Sequence, residues 1–506
     1  MKNYLFVYLF VALLTMGCGN EDSKIPSNEI HYTSYDGNII GPDNGECFFC
    51  KGINIISNVY KDGIGVIKCS APITAIENSA FAHCYELINI TIPNSVTRIE
   101  NGAFENCRNL VSITIPNSVT TIGDWAFFNC WDLTNITIPD SVTSIGDNAF
   151  CACWDLTDIT IGDGVTKIGK EAFSRCSSLA NVIIGNNVKT IGEFAFTGCE
   201  KLTDVTISQG VTLIGDGAFD GCNNMKNVYI TDLKKWCDIE FITNWENTAN
   251  PLCFGAKLFL NNKEVIDLVI PEGVTTIKNL AFDGCSSLKS VTIPNSVTKI
   301  ENIAFSGCSN LTSITIPNSI TMIGDYVFYN CHNLAYVYIN DLERWCNIEF
   351  HSNPLGHGAK LYLNNKEINN LEIPNSIKTI RDYAFDGCSS LTSITIPNSV
   401  TTIKRYAFGS CSYLNSVTIP NSVTKIENHA FDGCNNLTNV YCRATIPPTI
   451  EHDVFYYDDS DDPYDYEPKL LKNLQAIYVP RNSVYKYKTA NDWRDYAHLI
   501  KPYDFE

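Results

Sequence analysis

Cysteine is the residue with the greatest capacity for chemistry in this 506-residue chain, which contains 22 of them. A cysteine thiolate attacks electrophiles, binds metal ions or enters a disulfide. Thirteen of these cysteines, however, each follow a phenylalanine by three residues, and within each run the pairs recur every 23 residues. A cysteine that recurs at the same position of every repeat is expected to lie in a buried column, where its small thiol fills space between phenyl rings. We expect free thiols there, with disulfides between neighbouring repeats as the alternative that the Cα spacing permits.

The other residue types that carry catalysis or metal binding show no familiar arrangement. Cys47 and Cys50 form a lone CxxC without a second pair of ligands, and the eight histidines are scattered. Neither a GxSxG elbow nor an HExxH motif occurs. An acidic run over 456–467 lacks the spaced ligands and the glycine of an EF-hand, although calcium binding there stays an alternative. We therefore predict no catalytic residue, no metal centre and no cofactor.

The charge balance excludes one class of partner. The chain has 36 Lys and Arg against 55 Asp and Glu, a formal net charge of −19 that repels a phosphate backbone. Nucleic acid is therefore not an expected partner. A hydrophobic content of 45% with only 18% charged residues is typical of a folded chain with a large core.

The first residues are typical of an export signal. Lys2 precedes an apolar run over 5–14 that is too short to span a bilayer, and no later segment is long and apolar enough to do so. The residues leading into Cys18 resemble a bacterial lipobox, and Glu21-Asp22 resembles the acidic tail that marks surface lipoproteins in Bacteroidota. This resemblance implies lipidation at Cys18 and anchoring in the outer membrane of a Gram-negative bacterium. An ordinary signal peptide with an incidental cysteine is the alternative.

A 23-residue repeat organises most of the chain. The copy from Leu133 to Asp155 begins with alternating apolar and polar residues and continues through a proline, a turn and a second apolar pair. The alternation predicts a short strand that buries one face, and the proline ends it. One copy cannot enclose a core, so we expect the copies to stack as a solenoid. The recurring phenylalanines are Phe81, Phe104, Phe127, Phe150, Phe173, Phe196, Phe219, Phe282, Phe305, Phe328, Phe385, Phe408 and Phe431.

The repeat LxxIxIPxxVxxIGxxAFxxC resembles the BspA-like leucine-rich repeat, a class found in surface proteins of oral and gut bacteria and of some protists. The resemblance implies a β-rich leucine-rich-repeat solenoid that is curved, with 23-residue turns built from short strands and compact turns. It also implies adhesion. BspA-like proteins are associated with attachment to host matrix proteins such as fibronectin and fibrinogen, with epithelial contact and with coaggregation.

Departures from the repeat divide the chain into segments. Two helix-plus-hairpin insertions separate three repeat blocks, and a cap closes each end of the array so that no terminal repeat exposes its core. We expect a signal peptide at 1–17, a lipidated linker at 18–28, an N-terminal β cap at 29–70, repeat blocks at 71–230, 271–339 and 374–446, insertions at 231–270 and 340–373, and a C-terminal cap with the acidic loop at 447–506. Within that last cap, 485–499 has a helical pattern.

The two insertions resemble each other. Each begins with an aspartate suited to cap a short helix, Asp232 or Asp341, and carries a tryptophan, Trp236 or Trp345. Asparagine pairs at 261–262 and 364–365 predict hairpin turns. One interpretation makes each insertion a protruding binding lobe anchored by its tryptophan, and the one we favour packs the tryptophan onto neighbouring turns. Outward tyrosines end each block and are expected to pack against the insertions or the C-terminal cap: Tyr229, Tyr338 and Tyr441.

The outward positions differ most just after the repeat cysteine. Columns of outward threonines are expected to form hydrogen-bonded ladders, which gives them a structural role. An exposed aromatic cluster, by contrast, is typical of a platform for a sugar ring or an anchor for a protein partner. The alternative is that the rings fold over their own turns. The candidate binding residues are Tyr85, Arg108, Trp131 and Trp154, with Trp125 and Phe128 nearby.

These features predict a cell-surface binding protein that is not an enzyme. We expect adhesion to host extracellular-matrix or cell-surface proteins, because a repeated polar face of low charge suits many weak contacts. The alternative is a glycan-binding surface lipoprotein of a nutrient-uptake system, with the tryptophans as its platform. A glycosidase, the enzyme alternative, would require a pair of carboxylates flanking the scissile bond.

Overall fold

In the computed structural model each 23-residue repeat forms one turn of a β-solenoid, which confirms the predicted fold class. The turn that begins at Leu133 has a first strand over Asn135–Ile138 and a second strand over Ser144–Ile145. The two isoleucines of the first strand are buried and the residues between them face outward. This strand pairs in parallel with Asp158–Ile161 of the next turn, in a register of 23 residues. Stacked turns therefore bury faces that no single turn can enclose.

The structure describes residues 25–40, 53–244, 249–356, 358–457 and 469–505. The export signal with Cys18, the Cys47–Cys50 pair and positions 458–467 of the acidic run lie outside these ranges. The chain forms two units, Met1–Leu202 and Thr203–Glu506.

In the unit Met1–Leu202 the first strands form one parallel column and the second strands another. An antiparallel sheet of Glu29–Ser34, Ile55–Lys61 and Ile64–Cys69 adjoins the first column, because Glu29–Ser34 also pairs with Leu87–Thr91. The first column contains Leu87–Thr91, Ser112–Thr114, Asn135–Ile138, Asp158–Ile161 and Asn181–Ile183. The second column contains Ala75–Ile76, Arg98–Ile99, Thr121–Ile122, Ser144–Ile145, Lys167–Ile168 and Thr190–Ile191.

The unit Thr203–Glu506 has the same two kinds of strand. The first strands are Asp204–Ile207, Asn227–Ile230, Lys257–Leu260, Asp267–Val269, Ser290–Thr292, Ser313–Thr315, Tyr336–Ile339, Lys360–Leu363, Asn370–Glu372, Ser393–Thr395, Ser416–Ile419, Asn439–Cys442, Ala476–Pro480 and Ile500–Tyr503. The second strands are Leu213–Ile214, Glu240–Phe241, Thr276–Ile277, Lys299–Ile300, Met322–Ile323, Glu349–Phe350, Thr379–Ile380, Thr402–Ile403, Lys425–Ile426 and Thr449–Ile450. Antiparallel additions are Lys263–Glu264, Lys366–Glu367 and the pair Tyr456–Tyr457 with Lys469–Leu470.

The helices among the described residues are short, and none is long and apolar enough to cross a membrane. The helical pattern over 485–499 is broken at Ala490, which is extended (φ −66°, ψ 133°) and separates an α-helix from a 3₁₀ helix. The α-helices are Leu233–Cys237, Leu342–Cys346 and Val484–Thr489. The 3₁₀ helices are Pro251–Phe254, Arg481–Ser483 and Asn491–Tyr496.

The recurring phenylalanines form stacked columns in the core, as the repeat predicts. From Phe81 to Phe196 the rings of neighbouring turns lie 5.0–5.3 Å apart between centroids, with nearly parallel planes. None of these rings is more than 1% exposed. Apolar burial of this size is the main source of stability in each turn, and each ring depends on its two neighbours for that burial.

The repeat cysteines lie inward, and the nineteen described cysteines are thiols rather than disulfides. Apart from Cys285, whose sulfur lies 3.8 Å from the Ser287 hydroxyl, each repeat thiol with a resolved bond donates to the main-chain oxygen of a phenylalanine 26 residues earlier. Examples are Cys107, which donates to Phe81 at 2.9 Å, and Cys130, which donates to Phe104 at 3.1 Å. The same bond recurs in the unit Thr203–Glu506, where Cys308 donates to Phe282 at 3.3 Å. The cysteine therefore satisfies a buried carbonyl as well as filling space, which volume alone did not indicate.

Polar residues of the repeat connect one turn to the next. The amide of Asp147 donates to Oδ1 of Asp124 at 2.8 Å, so the aspartate of the IGD sequence accepts a bond from the turn above. Gly146 has to be glycine, because a Cβ there would overlap the backbone of Gly123. The hydroxyl of Thr143 donates to the carbonyl oxygen of Thr120 at 3.0 Å. The column of Thr97, Thr120, Thr143 and Thr166 is therefore a hydrogen-bonded ladder, and its bonds run from hydroxyl to backbone.

The two insertions are modified turns rather than protruding lobes. Glu240–Phe241 and Lys257–Leu260 both pair in parallel with strands of the preceding turns, so both columns continue through the first insertion. Trp236 is 1% exposed and its Nε1 donates to the carbonyl oxygen of Ala281 at 2.8 Å. In an ordinary turn the equivalent main-chain oxygen, that of Ala126, accepts a hydrogen bond from the amide of Phe104. The indole N–H thus replaces a backbone donor, and the favoured interpretation, a packed tryptophan, is confirmed.

The second insertion repeats these features. Trp345 is 1% exposed and donates to Ala384 at 2.9 Å. The predicted helix caps are present, since Oδ1 of Asp232 and of Asp341 each accepts a main-chain amide three residues on. The asparagine pairs at 261–262 and 364–365 have positive φ and form hairpin turns, as predicted. The three outward tyrosines pack against rings of the next strand at 5.0–5.2 Å: Tyr229 on Phe259, Tyr338 on Tyr362 and Tyr441 on Tyr478.

Replacing Phe127 with alanine should lower the free energy of unfolding by about 3–5 kcal/mol, because it opens a cavity between two stacked rings. Urea unfolding followed by circular dichroism measures this change. The matched control is Ile183→Thr, at an outward position that is 50% exposed, which should change stability by less than about 0.5 kcal/mol. Equal effects from the two variants would contradict the stacked core.

Burial raises the pKa of the Cys388 thiol to about 12. The pKa of a cysteine thiol in the unfolded chain is about 8.5. Between the unfolded and the folded pKa the folded state binds more protons, so the free energy of unfolding falls as the pH rises. Cys388→Ala should be less stable than the wild type at pH 7.5, and the gap should narrow by about 2 kcal/mol at pH 10. Urea unfolding at both pH values measures the gap. An unchanged gap would show that this thiol is not held neutral by the fold, and Cys253→Ala, at a half-buried position, is the control.

Candidate functional site

The repeat geometry aligns the residue that follows each repeat cysteine. Leu133 closes a tight turn after Cys130 by donating its amide to the cysteine oxygen at 3.3 Å. Adjacent turns are held together here, because the amide of Asp132 donates to the oxygen of Arg108 at 3.0 Å and that of Asp155 to the oxygen of Trp131 at 3.0 Å. Side chains 23 residues apart therefore lie directly above one another.

Four of the six candidate residues form one continuous row, which we call the aromatic row: Tyr85, Arg108, Trp131 and Trp154. The guanidinium carbon of Arg108 lies 5.4 Å from the ring centroid of Tyr85 and 4.1 Å from that of Trp131. The rings of Trp131 and Trp154 are stacked at 4.5 Å with an angle of 9° between their planes. Cation–π and aromatic contacts of this kind stabilise side chains that would otherwise be mobile in water. The row is therefore ordered before any partner arrives.

The faces of the row are unequally available. Arg108 from the turn before and Trp154 from the turn after cover both faces of Trp131. Trp154 is 43% exposed, and the next turn carries only Ser177 at this position, which is too small to cover an indole ring. One face of Trp154 is thus open, whereas Tyr85, also 43% exposed, lies beside His83. The row offers a line of ring edges along its length and one open face at its end.

Two electrostatic features accompany the row. Burial, together with the neighbouring charge of Asp155, raises the pKa of the Asp132 carboxyl beside Trp131. The indole N–H of Trp131 is buried and has no hydrogen-bond partner in the described part of the chain. A buried donor left unpaired costs about 1–3 kcal/mol. The unpaired N–H of Trp131 therefore lowers the stability of the fold, and packing between the turns gives no reason for it.

The remaining two candidate residues form a separate pair. Trp125 and Phe128 have ring centroids 5.8 Å apart in a tilted arrangement, and Trp125 is 49% exposed. Within the ranges that the structure describes, neither ring contacts a ring of the aromatic row. Trp125 also has a left-handed backbone (φ 60°), which is unfavourable for a bulky side chain.

A second row in the unit Thr203–Glu506 was not anticipated from the sequence. Tyr383 and Tyr406 are stacked at 5.3 Å, and Tyr406 and His429 at 4.7 Å, with nearly parallel rings. All three have left-handed backbones, with φ of 57°, 50° and 57°. Burial lowers the pKa of His429. The signal in the sequence is an aromatic residue two positions before each of three successive core phenylalanines, which is also the position of Trp125.

Metal binding is the other chemistry that a cluster of side chains could perform. Among the described residues no group of three His, Cys, Asp or Glu side chains is placed to hold a metal ion. The calcium alternative at the acidic run falls mostly outside the described ranges. A leucine-rich-repeat solenoid is typically a scaffold for binding partners rather than for catalysis.

Comparison with solved structures returns leucine-rich-repeat proteins. One from Bacteroides ovatus is 26% identical over 89% of this chain and 91% of its own, with a TM-score of 0.42. One from T. pallidum is 36% identical over 28% of this chain and 68% of its own, with a TM-score of 0.27. A leucine rich cell surface protein from Faecalibacterium prausnitzii is 28% identical over 70% of this chain and 89% of its own, with a TM-score of 0.31.

None of the curated proteins compared with the chain matches it. The family model described as "BspA type Leucine rich repeat region (6 copies)" matches over 74–161, 143–244, 253–355 and 358–461. These segments contain all thirteen of the recurring phenylalanines, so the matched residues are those that build the core. The resemblance drawn from the repeat is confirmed, and the chain belongs to the BspA-type leucine-rich repeat family.

Proposed function

We propose that this protein is a surface adhesin that binds host extracellular-matrix or cell-surface proteins through the aromatic row. The observation that carries the proposal is the ordered line of Tyr85, Arg108, Trp131 and Trp154, in which Trp131 is half-buried and the other three side chains are exposed. Trp, Tyr and Arg are the residue types most enriched among the energetically dominant residues of protein interfaces. A row that is already ordered avoids much of the entropy cost of binding.

The dimensions of the row also suit a protein partner. Turns about 4.8 Å apart place its ends about 14 Å from each other, a length comparable to the central part of a protein interface. The neighbouring strands present threonines and asparagines such as Thr114 and Asn135, which supply a polar rim. A partner that displaces water from the edges of the rings would gain most of its affinity at Trp131 and Trp154.

We further propose that the protein is exported and anchored through a lipid on Cys18, in the outer membrane of a Gram-negative bacterium. The support is the residue pattern of the first 22 positions together with the family, in which adhesion at the cell surface is expected. A lipid anchor on Cys18 would hold the protein at the membrane surface.

A second candidate function is glycan binding for nutrient uptake, and the open face of Trp154 favours it. A pyranose ring stacks on an exposed indole face, and the small Ser177 leaves room for it. The two candidates make different demands on the row. A sugar needs only the open face, whereas a protein partner needs the full line of edges.

The binding test uses purified full-length protein against immobilised fibronectin, fibrinogen and a glycan array. For an adhesin, Arg108→Ala and Trp131→Ala/Trp154→Ala should each weaken protein binding, the double variant by about 30-fold or more, corresponding to about 2 kcal/mol. For a glycan-binding protein, Trp154→Ala alone should abolish sugar binding while Tyr85→Ala leaves it unchanged. Surface plasmon resonance measures both.

The control for this test is Trp125→Ala/Phe128→Ala, which removes exposed aromatics outside the row and should leave binding unchanged. Protein binding that survives the loss of both row tryptophans would overturn the adhesin site. Glycan binding lost with Trp154, without any matrix-protein binding, would favour the second candidate.

The anchor is tested by metabolic labelling of expressing bacteria with an alkyne fatty acid. Wild-type protein should incorporate the label and partition with the membrane fraction, and Cys18→Ala should lose both properties, because the lipid is attached to that thiol. Cys253→Ala is the control and should retain the label. Wild-type protein that takes up no label would identify the N-terminus as an ordinary signal peptide, and labelling that is unaffected by Cys18→Ala would place the lipid on another residue.

A further inference from the structure

A cleft in the unit Thr203–Glu506 has a composition unlike the rest of this acidic chain. It encloses about 430 Å³, within the range of small-molecule sites, and lies between the end of the helix Leu342–Cys346 and the following repeat turns. Three of its lining residues are cationic, on a protein whose net charge is −19. The lining residues are Asn347, Ser376, Ile377, Lys378, Thr379, Arg381 and Lys404.

The cations of the cleft are only partly neutralised by neighbouring acids. Nζ of Lys404 lies 3.1 Å from Oδ2 of Asp382. In the part of the chain that the structure describes, Lys378 and Arg381 have no carboxylate within ion-pairing distance. Lys378 and Arg381 are exposed and Lys404 is half-buried, so the cleft presents unpaired positive charge to an incoming ligand and is suited to an oxyanion.

The duplicated insertion provides an internal comparison for these charges. The turn built on Trp236 corresponds to the turn built on Trp345, and both tryptophans keep the same bond to an alanine oxygen. At the positions equivalent to Asn347, Lys378, Arg381 and Lys404, however, the first copy has Asp238, Thr275, Lys278 and Glu301. Two carboxylates, one hydroxyl and one cation are thus replaced by one amide and three cations. The packing is kept while the charge is reversed.

One residue of the helix changes in the opposite direction, but it does not line the cleft. Lys234 of the first copy corresponds to Glu343 of the second. In the first copy Nζ of Lys234 lies 3.1 Å from the point where a Cβ on Gly273 would stand, and Gly273 is equivalent to the cleft residue Ser376, whereas Glu343 is exposed and absent from the lining of the cleft. With Lys234, and with Asp382 at the position of Asn279, the second copy has three cations and one carboxylate against two cations and two carboxylates in the first, so the second copy keeps the larger positive charge.

We propose that this cleft binds an anionic saccharide, with Lys378, Arg381 and Lys404 holding a sulfate or carboxylate group. The guanidinium of Arg381 supplies a planar pair of donors that matches an oxyanion, and the two lysines supply point charges. The hydroxyls of Ser376 and Thr379 and the amide of Asn347 provide the donors and acceptors that sugar hydroxyl groups require. The site is separate from the aromatic row and does not depend on the function proposed for it.

The test measures binding of a sulfated chondroitin disaccharide to the full-length protein by isothermal titration calorimetry at low salt. The unsulfated chondroitin disaccharide, neutral N-acetyllactosamine and inorganic sulfate are the comparison probes. We expect one site for the two acidic disaccharides, no binding of the neutral sugar, and an affinity that falls as salt is raised. Lys378→Thr/Lys404→Glu, which installs the residues of the first copy, should reduce affinity at least tenfold.

The milder variant Lys378→Thr, which leaves the Lys404–Asp382 pair intact, should reduce affinity by a smaller factor and guards against loss of folding. The reciprocal change Thr275→Lys/Glu301→Lys in the first copy should raise the stoichiometry from one site towards two. Acidic disaccharides that fail to bind, or bind the variants equally well, would overturn the proposal. Inorganic sulfate that binds as tightly as the disaccharides would overturn the assignment to a saccharide.

Discussion

The whole structure depends on the bonding of each turn to its neighbour through main-chain groups in a fixed register. The phenylalanine at the centre of each repeat shows this most clearly. The amide of Phe104 donates to the oxygen of Ala126, and its own oxygen accepts the thiol of Cys130. Because a side-chain donor completes the backbone pairing, the ring is fixed in position as well as buried. The register of the core then fixes the position of every exposed side chain.

The fold was largely predictable, because the 23-residue period repeats the same apolar positions thirteen times and leaves few alternatives. The caps at Asp232 and Asp341 and the asparagine hairpins were also predictable, since local chemistry determines them. The role of Trp236 was harder to predict. Its indole replaces a backbone amide from a distant turn, and no local pattern indicates a bond between residues so far apart in sequence.

The candidate site was predictable in position but not in arrangement. The sequence placed Trp131 and Trp154 on adjacent turns, and the period alone brought them together. It did not show that Arg108 lies between rings, or that Trp125 and Phe128 form a pair of their own, because side-chain direction at a turn depends on backbone angles. The basic cleft was not predictable, because it brings Asn347 at the end of an insertion helix together with residues 376–404 of the following repeat turns, and the repeat pattern does not indicate that proximity.

The exchange of a backbone donor for an indole has a genetic consequence. A carbonyl at the boundary between blocks receives its bond from Trp236 or Trp345, so a run of ordinary repeats can end there without a buried oxygen losing its partner. Recombination between near-identical repeats that removes or adds a whole copy inside a block would leave these boundaries unchanged. A chain with one whole repeat fewer or more inside a block is therefore expected to keep both boundary bonds and to fold.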